Sequence, residues 1–231
     1  MIDIISEYGG LLIAALGQTL LLALLGLFFA CIIGVIFGIM SVVKNKVLNV
    51  IARIFVDVIR GIPMIVLAFF IFFGVPMFCN TILHLPDKVT LSGLQAGVIC
   101  LALNCGAYMA EIIRAGVQAV DIGQMEAARS LGMSYSKAMA KVIMPQAIKI
   151  MIPSIINQFI ITLKDTSILS VIGFPELVNT AKNIIAINFQ SFQVWAIVAV
   201  MYLIVILILS RLSKILERRL SYGEHKRRDE R

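Results

Sequence analysis

The chain has 231 residues, of which 60% are hydrophobic and 14% charged. A soluble domain of that length cannot keep so much apolar surface from water, so ordinary globular classes are excluded and a membrane-embedded protein is indicated. The net charge of +7 does not signal nucleic acid. Lys and Arg flank apolar runs instead of interleaving with aromatic residues on a polar face, as membrane topology signals do.

A spanning helix takes about 20 mostly apolar residues, and five runs qualify. The first extends from about Leu11 to Val43, long enough to begin at the interface before crossing. Ala30, Gly34 and Gly38 recur on it at every fourth position, a small-residue face that lets another helix approach closely. After a short loop from Lys44 to Asn49, the second run covers about Val50 to Phe73 and is interrupted at Gly61-Ile62-Pro63. A loop around Pro76 and Pro86 leads to the third, Leu94 to about Arg114. A long loop, Ala115 to Pro145, precedes the fourth, about Ala147 to Ile172, which contains Pro153. The segment Phe174 to Gln190 joins it to the fifth, Phe192 to Leu212. Proline removes a backbone donor and bends a helix, and such breaks persist in membranes where protein groups or a wet cavity satisfy the freed backbone. The second and fourth runs are therefore expected to line something. The expected fold is an all-α polytopic helix bundle, one transmembrane domain over residues 1–231, with no internal repeat.

Cys31, Cys100 and Cys105 fall in spans and Cys79 near the end of one, without CxxC or metal-ligand spacing, so they read as apolar packing. His84 and His225 are isolated and suggest no metal site. Five spans put the termini on opposite sides. One side receives Lys44, Lys46, Arg53, Arg114, Arg129, Lys137, Lys141, Lys149 and every cation of the tail; the other receives only Lys88 and Lys182. The Lys/Arg-rich side is the cytoplasmic one, so the C-terminus is expected inside and the acidic N-terminus, with Asp3 and Glu7, outside. The basic tail after Ser210 reads as a solvated helix end touching anionic head groups.

Charges inside hydrocarbon are expensive and face the bundle interior. Asp57 and Arg60 on the second run, and Glu111 and Arg114 on the third, have i,i+3 spacing and read as structural ion pairs or gating charges. Lys164-Asp165-Thr166-Ser167 offers a cation, an anion and two hydroxyls in one turn, which suits a zwitterion. Lys164 would serve a carboxylate and Asp165 an ammonium or a cationic side chain, although adjacent side chains diverge by about 100° and share depth rather than direction. Asn104 and Tyr108, at i,i+4, would add hydrogen bonds from the facing wall or satisfy a helix break.

The segment Glu126-Ala127-Ala128-Arg129-Ser130-Leu131-Gly132 is charged, helix-forming and wedged between apolar runs. A loop that merely joins spans needs no such organisation, so it reads as a handle for a soluble partner. With Val142-Ile143-Met144-Pro145 it resembles the Glu-Ala-Ala signature of permease subunits of ATP-binding-cassette importers. Arg60-Gly61-Ile62-Pro63, Ala107-Tyr108-Met109-Ala110-Glu111-Ile112-Ile113-Arg114 and Leu163-Lys164-Asp165-Thr166-Ser167-Ile168-Leu169 look like the branch for polar amino acids. The resemblance implies a transporter subunit of a bacterial cytoplasmic membrane and not an enzyme. It implies a second permease subunit, identical or related, two cytoplasmic ATPase subunits that bind the ATP and Mg, and an extracytoplasmic amino-acid-binding protein. This chain would carry no cofactor. Gln124 to about Ser134, with Glu126, Ala127 and Ala128, would form the coupling helix, and Gly132 the bend after it. The alternatives are a secondary transporter, which usually shows paired repeats, or another membrane protein not coupled to ATP, such as a scaffold or channel.

Overall fold

The computed structural model describes residues 2–83 and 88–228, with side chains up to residue 215. His84, Pro86 and the side chains of His225 and the tail cations from Arg218 onward lie outside the described residues. Among the described residues the protein is helical and has no strand. Ten α-helices follow in order: α1 (Ile2–Val42), α2 (Lys46–Gly61), α3 (Met64–Phe69), α4 (Val75–Thr81), α5 (Gly93–Gln118), α6 (Ile122–Ser130), α7 (Tyr135–Ala138), α8 (Met144–Asp165), α9 (Leu177–Asn188) and α10 (Ser191–Arg228). Five helical stretches are long and apolar enough to cross a membrane: Ile2–Val42, Met64–Ile82, Gly93–Gln118, Tyr135–Ile172 and Ser191–Ile215.

The number of spans matches the sequence expectation, but the second is displaced. Gly61-Ile62-Pro63 does not kink one spanning helix; it separates α2 from the span that begins at Met64. Pro63 lacks an N–H and sits at φ −56°, ψ 135°, an extended conformation that ends one helix and starts the next. Asp57 and Arg60 therefore lie on α2, a 16-residue helix outside the five candidate spans.

The expected loops also shrink. Pro76 and Pro145 both lie within helix, each two residues beyond a π-helical turn, Phe70–Gly74 and Met139–Ile143 respectively. A proline clashes with the carbonyl four residues back and has no N–H for it. One wider turn before the proline absorbs the mismatch, with Val75 N–H donating to the Phe70 carbonyl and Met144 N–H to that of Met139. The fourth span accordingly starts at Tyr135, runs through Pro153 without a break, and tightens into a 3₁₀ turn at Thr166–Ile172. The segment expected as a joining loop after Phe174 contains α9.

The small-residue face of α1 packs on α5. A Cβ built on Gly26 would lie 2.7 Å from the Cβ of Leu101, and one on Gly38 2.8 Å from that of Ile113; Gly34 faces the Cβ of Met109 more closely still. The approach is reciprocal, since a Cβ on Gly106 would lie 2.7 Å from Cγ2 of Ile33. The seam holds α5 as the central helix, and around it Leu22, Leu67, Ile71, Cys100, Leu101, Leu169 and Phe174 form one buried cluster. A second cluster joins α1 to α9 and α10 through Leu12, Ala15, Leu177, Ala181, Val194 and Val198.

Between these clusters Glu176 is wholly buried and caps α9. Its carboxylate accepts from Val178 N–H at 2.9 Å and Asn179 N–H at 2.6 Å, and from the Tyr202 hydroxyl at 3.2 Å. Burial pushes the carboxyl above the usual carboxylate range, against the opposing pull of those donors and of Lys182.

Candidate functional site

Three helices converge on the break between α2 and α3. A cavity of about 500 Å³ opens there, lined by Arg60, the Gly61–Pro63 break, Met64, Asn104, Tyr108, Gln158, Ile161 and Asp165. Each wall has a local cause. The end of α2 brings Arg60 to the rim. Asn104 and Tyr108 share a face of α5 through i,i+4 spacing, and Gln158, Ile161 and Asp165 share a face of α8 through steps of three and four. Asn104 is 8% exposed, and its Nδ2 lies 3.7 Å from the Met64 sulfur.

The cavity thus gathers Asn104, Tyr108 and Asp165 from the sequence-predicted set, and adds Arg60 and Gln158. Its charged lining is one cation and one anion. Lys164 is exposed and outside the lining, on a different side of α8 from Asp165. Thr166 is buried and its hydroxyl donates to the Leu163 carbonyl at 2.7 Å; the Ser167 hydroxyl donates to that of Lys164 at 2.7 Å. Both hydroxyls are used in turning α8 into the 3₁₀ turn. Gln158 carried a readable signal: it stands seven residues before Asp165, two helical turns along one face.

Beside the cavity lies a charged cluster. Glu111 accepts from Arg114 through both carboxylate oxygens, Nε at 2.9 Å and Nη2 closer. Arg114 Nη1 also reaches Gln118 Oε1 at 3.0 Å. Arg60 does not close on Asp57, as the i,i+3 spacing suggested; it crosses to α5, with Nη1 4.0 Å from Glu111 Oε2 and its guanidinium carbon 4.8 Å from the Tyr108 ring centroid. A second cavity of about 310 Å³ is lined by Arg53, Asp57, Arg60, Glu111 and Arg114.

The Glu126 segment forms α6, two residues earlier at its start and shorter at its end than the expected Gln124–Ser134. Asp121 caps it, accepting from Gly123 N–H at 2.7 Å. Its C-terminus closes on Gly132, at φ +82°. Gly132 N–H donates to Arg129 O at 3.0 Å and Met133 N–H to Ala128 O at 3.2 Å, the paired bonds of a left-handed helix cap. Ala128 is buried, while Glu126 and Ala127 are exposed. Gln124 meets Gln146 of α8 through their amides at 3.4 Å. Two apolar residues at the ends of α6 stand out in the open, Ile122 at 76% and Leu131 at 84% exposure. Sequence reasoning missed both, although large apolar residues flanking a polar helix were their signal. The start of α7 is tied to the α1–α2 turn by Lys44, whose Nζ lies 4.3 Å from the Tyr135 ring centroid.

Comparison with known proteins gives a consistent set of matches. Residues 30–222 match the family described as binding-protein-dependent transport system inner membrane component. The glutamine transport system permease protein GlnP of Escherichia coli (strain K12) is 39% identical over 210 residues, 91% of this chain and 93% of that protein. The probable glutamine ABC transporter permease protein GlnM of Bacillus subtilis (strain 168) is 38% identical over 203 residues, 88% of this chain and 90% of that one. The crystal structure of an amino acid ABC transporter with histidines superposes with a TM-score of 0.85 at 39% identity, covering 93% of this chain and 96% of the other. The inward-facing methionine ABC transporter MetNI shares the fold, with a TM-score of 0.77 at 20% identity over 93% of this chain and 98% of that one.

Proposed function

The chain belongs to the family of binding-protein-dependent transport system inner membrane components, and from that premise we propose that it forms half of a two-subunit pathway for polar amino acids. It is a membrane-embedded permease component of an importer; hydrolysis of ATP is the task of a separate subunit. The second half of the pathway is a second permease subunit, identical or related. Two cytoplasmic ATPase subunits bind ATP and Mg, and an extracytoplasmic binding protein delivers the amino acid. Glutamine, from the names of the relatives in E. coli and B. subtilis, is the first substrate to try.

The observation that carries the substrate reading is the cavity with one cation, one anion and the amides of Asn104 and Gln158. A zwitterion leaving water needs both of its charges answered. Asp165 takes the ammonium, and Asn104 and Tyr108 hydrogen-bond from the α5 wall. Thr166 and Ser167 shape the turn that aims Asp165. Lys164, exposed on the same turn, contributes to the pathway from the side facing the second subunit. The Glu111–Arg114 pair, with Asp57 and Arg60 around it, keeps the end of α2 registered against α5. The α6 helix docks on the ATPase with Glu126 as its charged contact. Gln124 fixes its base, buried Ala128 lets α6 pack closely on the rest of the chain, Ala127 keeps its exposed surface low, and Ile122 and Leu131 provide apolar contact.

The test is uptake of labelled L-glutamine and L-histidine into proteoliposomes holding the complete complex and binding protein. Uptake should require ATP inside the cytoplasmic compartment. Asp165→Asn should abolish it or change the preferred amino acid while the subunits still co-purify, and Glu126→Lys should release or uncouple the ATPase. Uptake driven by an ion gradient without ATP would favour a secondary transporter. Parent-like transport by both variants would refute the site and the docking helix together.

A further inference from the structure

Arg60 is the one described residue that lines both the substrate cavity and the charged cavity beside it. Its surroundings leave it incompletely partnered. Glu111 already spends both oxygens on Arg114, and Arg60 reaches the same carboxylate only at 4.0 Å, the outer limit of an ion pair. The Tyr108 ring supports the guanidinium at 4.8 Å, an interaction that orients the planar group and leaves its N–H edges available. A carboxylate answers those edges with two parallel hydrogen bonds, which a distant, shared Glu111 does not.

We propose that Arg60 binds the α-carboxylate of the translocated amino acid, exchanging Glu111 for the substrate, and so reads that carboxylate at the threshold between the two cavities. The inference rests on the reading of the larger cavity as the amino-acid site. It places the zwitterion across the cavity, with its carboxylate at the end of α2 and its ammonium at Asp165. When the amino acid leaves, Arg60 falls back on Glu111, whose charge keeps the empty site from holding an unanswered cation.

The experiment measures equilibrium binding to the assembled permease–ATPase complex without the binding protein, so that only the membrane site discriminates. The probes are L-glutamine and L-histidine, each compared with its α-amide, which keeps the ammonium and side chain but removes the carboxylate charge. The parent should prefer acid over amide by roughly ten- to hundredfold, the scale of a charge-assisted pair. Arg60→Gln should bring that ratio close to one, and Arg60→Lys should leave an intermediate ratio. Glu111→Gln should tighten binding of the acid severalfold and leave the amide unmoved, because Arg60 loses its competing partner. If Arg60→Gln keeps the parental ratio while Asp165→Asn weakens acid and amide alike, the role of Arg60 falls and the cavity reading stands. If both variants bind like the parent, the cavity reading falls and takes this inference with it. A parent that binds acid and amide equally overturns the proposal directly. Should Arg60→Gln not assemble, Glu111→Gln decides: unchanged affinity for the acid refutes the exchange.

Discussion

Gly132→Ala isolates the backbone as the device that holds α6 in shape. Gly132 sits at φ +82°, and a Cβ built there meets nothing within 4 Å. The substitution therefore adds no clash, and its whole effect is conformational. Placing an L-residue in the left-handed region costs roughly 1–2 kcal/mol, a factor of about 5–30 in a local equilibrium. What opens is the cap: the bonds from Gly132 N–H to Arg129 O and from Met133 N–H to Ala128 O, with the Arg129 guanidinium that donates to the Met133 carbonyl at 2.6 Å. Hydrogen exchange of the assembled complex should show the amides of residues 131–133 exchanging about 5- to 30-fold faster, and ATP-driven uptake should fall with them. Gly132→Asn should recover most of both, because Asn tolerates the left-handed region. Gly17→Ala on α1, also with open space around a new Cβ but within a helix, should lose nothing. Parental exchange in Gly132→Ala, or equal damage from Asn and Ala, would show that the left-handed cap is not what holds α6.

A reporter active only in the cytoplasm should work after Arg231 and fail before Met1; the reverse pattern would overturn the orientation and with it the docking role of α6. Gly38→Leu should lower the melting temperature of the detergent-purified complex, since its Cβ would lie 2.8 to 2.9 Å from three Ile113 carbons and overpacking costs about 1–3 kcal/mol; unchanged melting would mean the α1–α5 seam opens freely. Glu176 holds its proton more tightly folded than unfolded, so its contribution to stability should increase as pH falls through the folded value towards the ordinary carboxylate value near ~4.3 and level off below it. Glu176→Gln should flatten that part of the melting profile, and an identical pH slope in parent and variant would assign the dependence elsewhere.

What the sequence revealed follows from which signals are local. The small residues Gly34 and Gly38 stated a close approach, and the structure supplied only the missing partner, Met109 and Ile113 of α5. The polar Glu126 segment and the glycine six residues on predicted a short helix with a bend after it, as α6 and Gly132 show. The prolines misled at Pro76 and Pro145, where loops were expected. A proline states that one hydrogen bond is lost, but not how the helix responds. Here a π turn before each proline spreads the loss over five residues and the helix continues. Pro63 has no such turn before it, and there the chain breaks.

The displacement of the second span also relocates Arg60, the one cation in the lining of the larger cavity. Averaged hydropathy merges Val50 to Phe73 into one apolar run, and inside such a run Arg60 reads as a membrane charge needing the nearest acid, Asp57. The periodicity says otherwise. Lys46, Arg53, Asp57 and Arg60 are separated by seven, four and three residues, which puts all of them on one face of a helix. A helix buried in hydrocarbon would have to desolvate that entire face, whereas an amphipathic helix outside the candidate spans keeps it polar and turns Val47, Ile51, Ile54 and Val58 to another side. Freed from the span, the end of α2 meets α5 side on, and the partner of Arg60 is chosen by that crossing instead of by its own helix. Glu111 and Tyr108 are three residues apart on α5, so one face of that helix offers Arg60 both an anion and a ring. Sequence spacing within a single helix cannot show a pairing that only the packing of two helices creates, and the cation of the larger cavity was hidden for that reason.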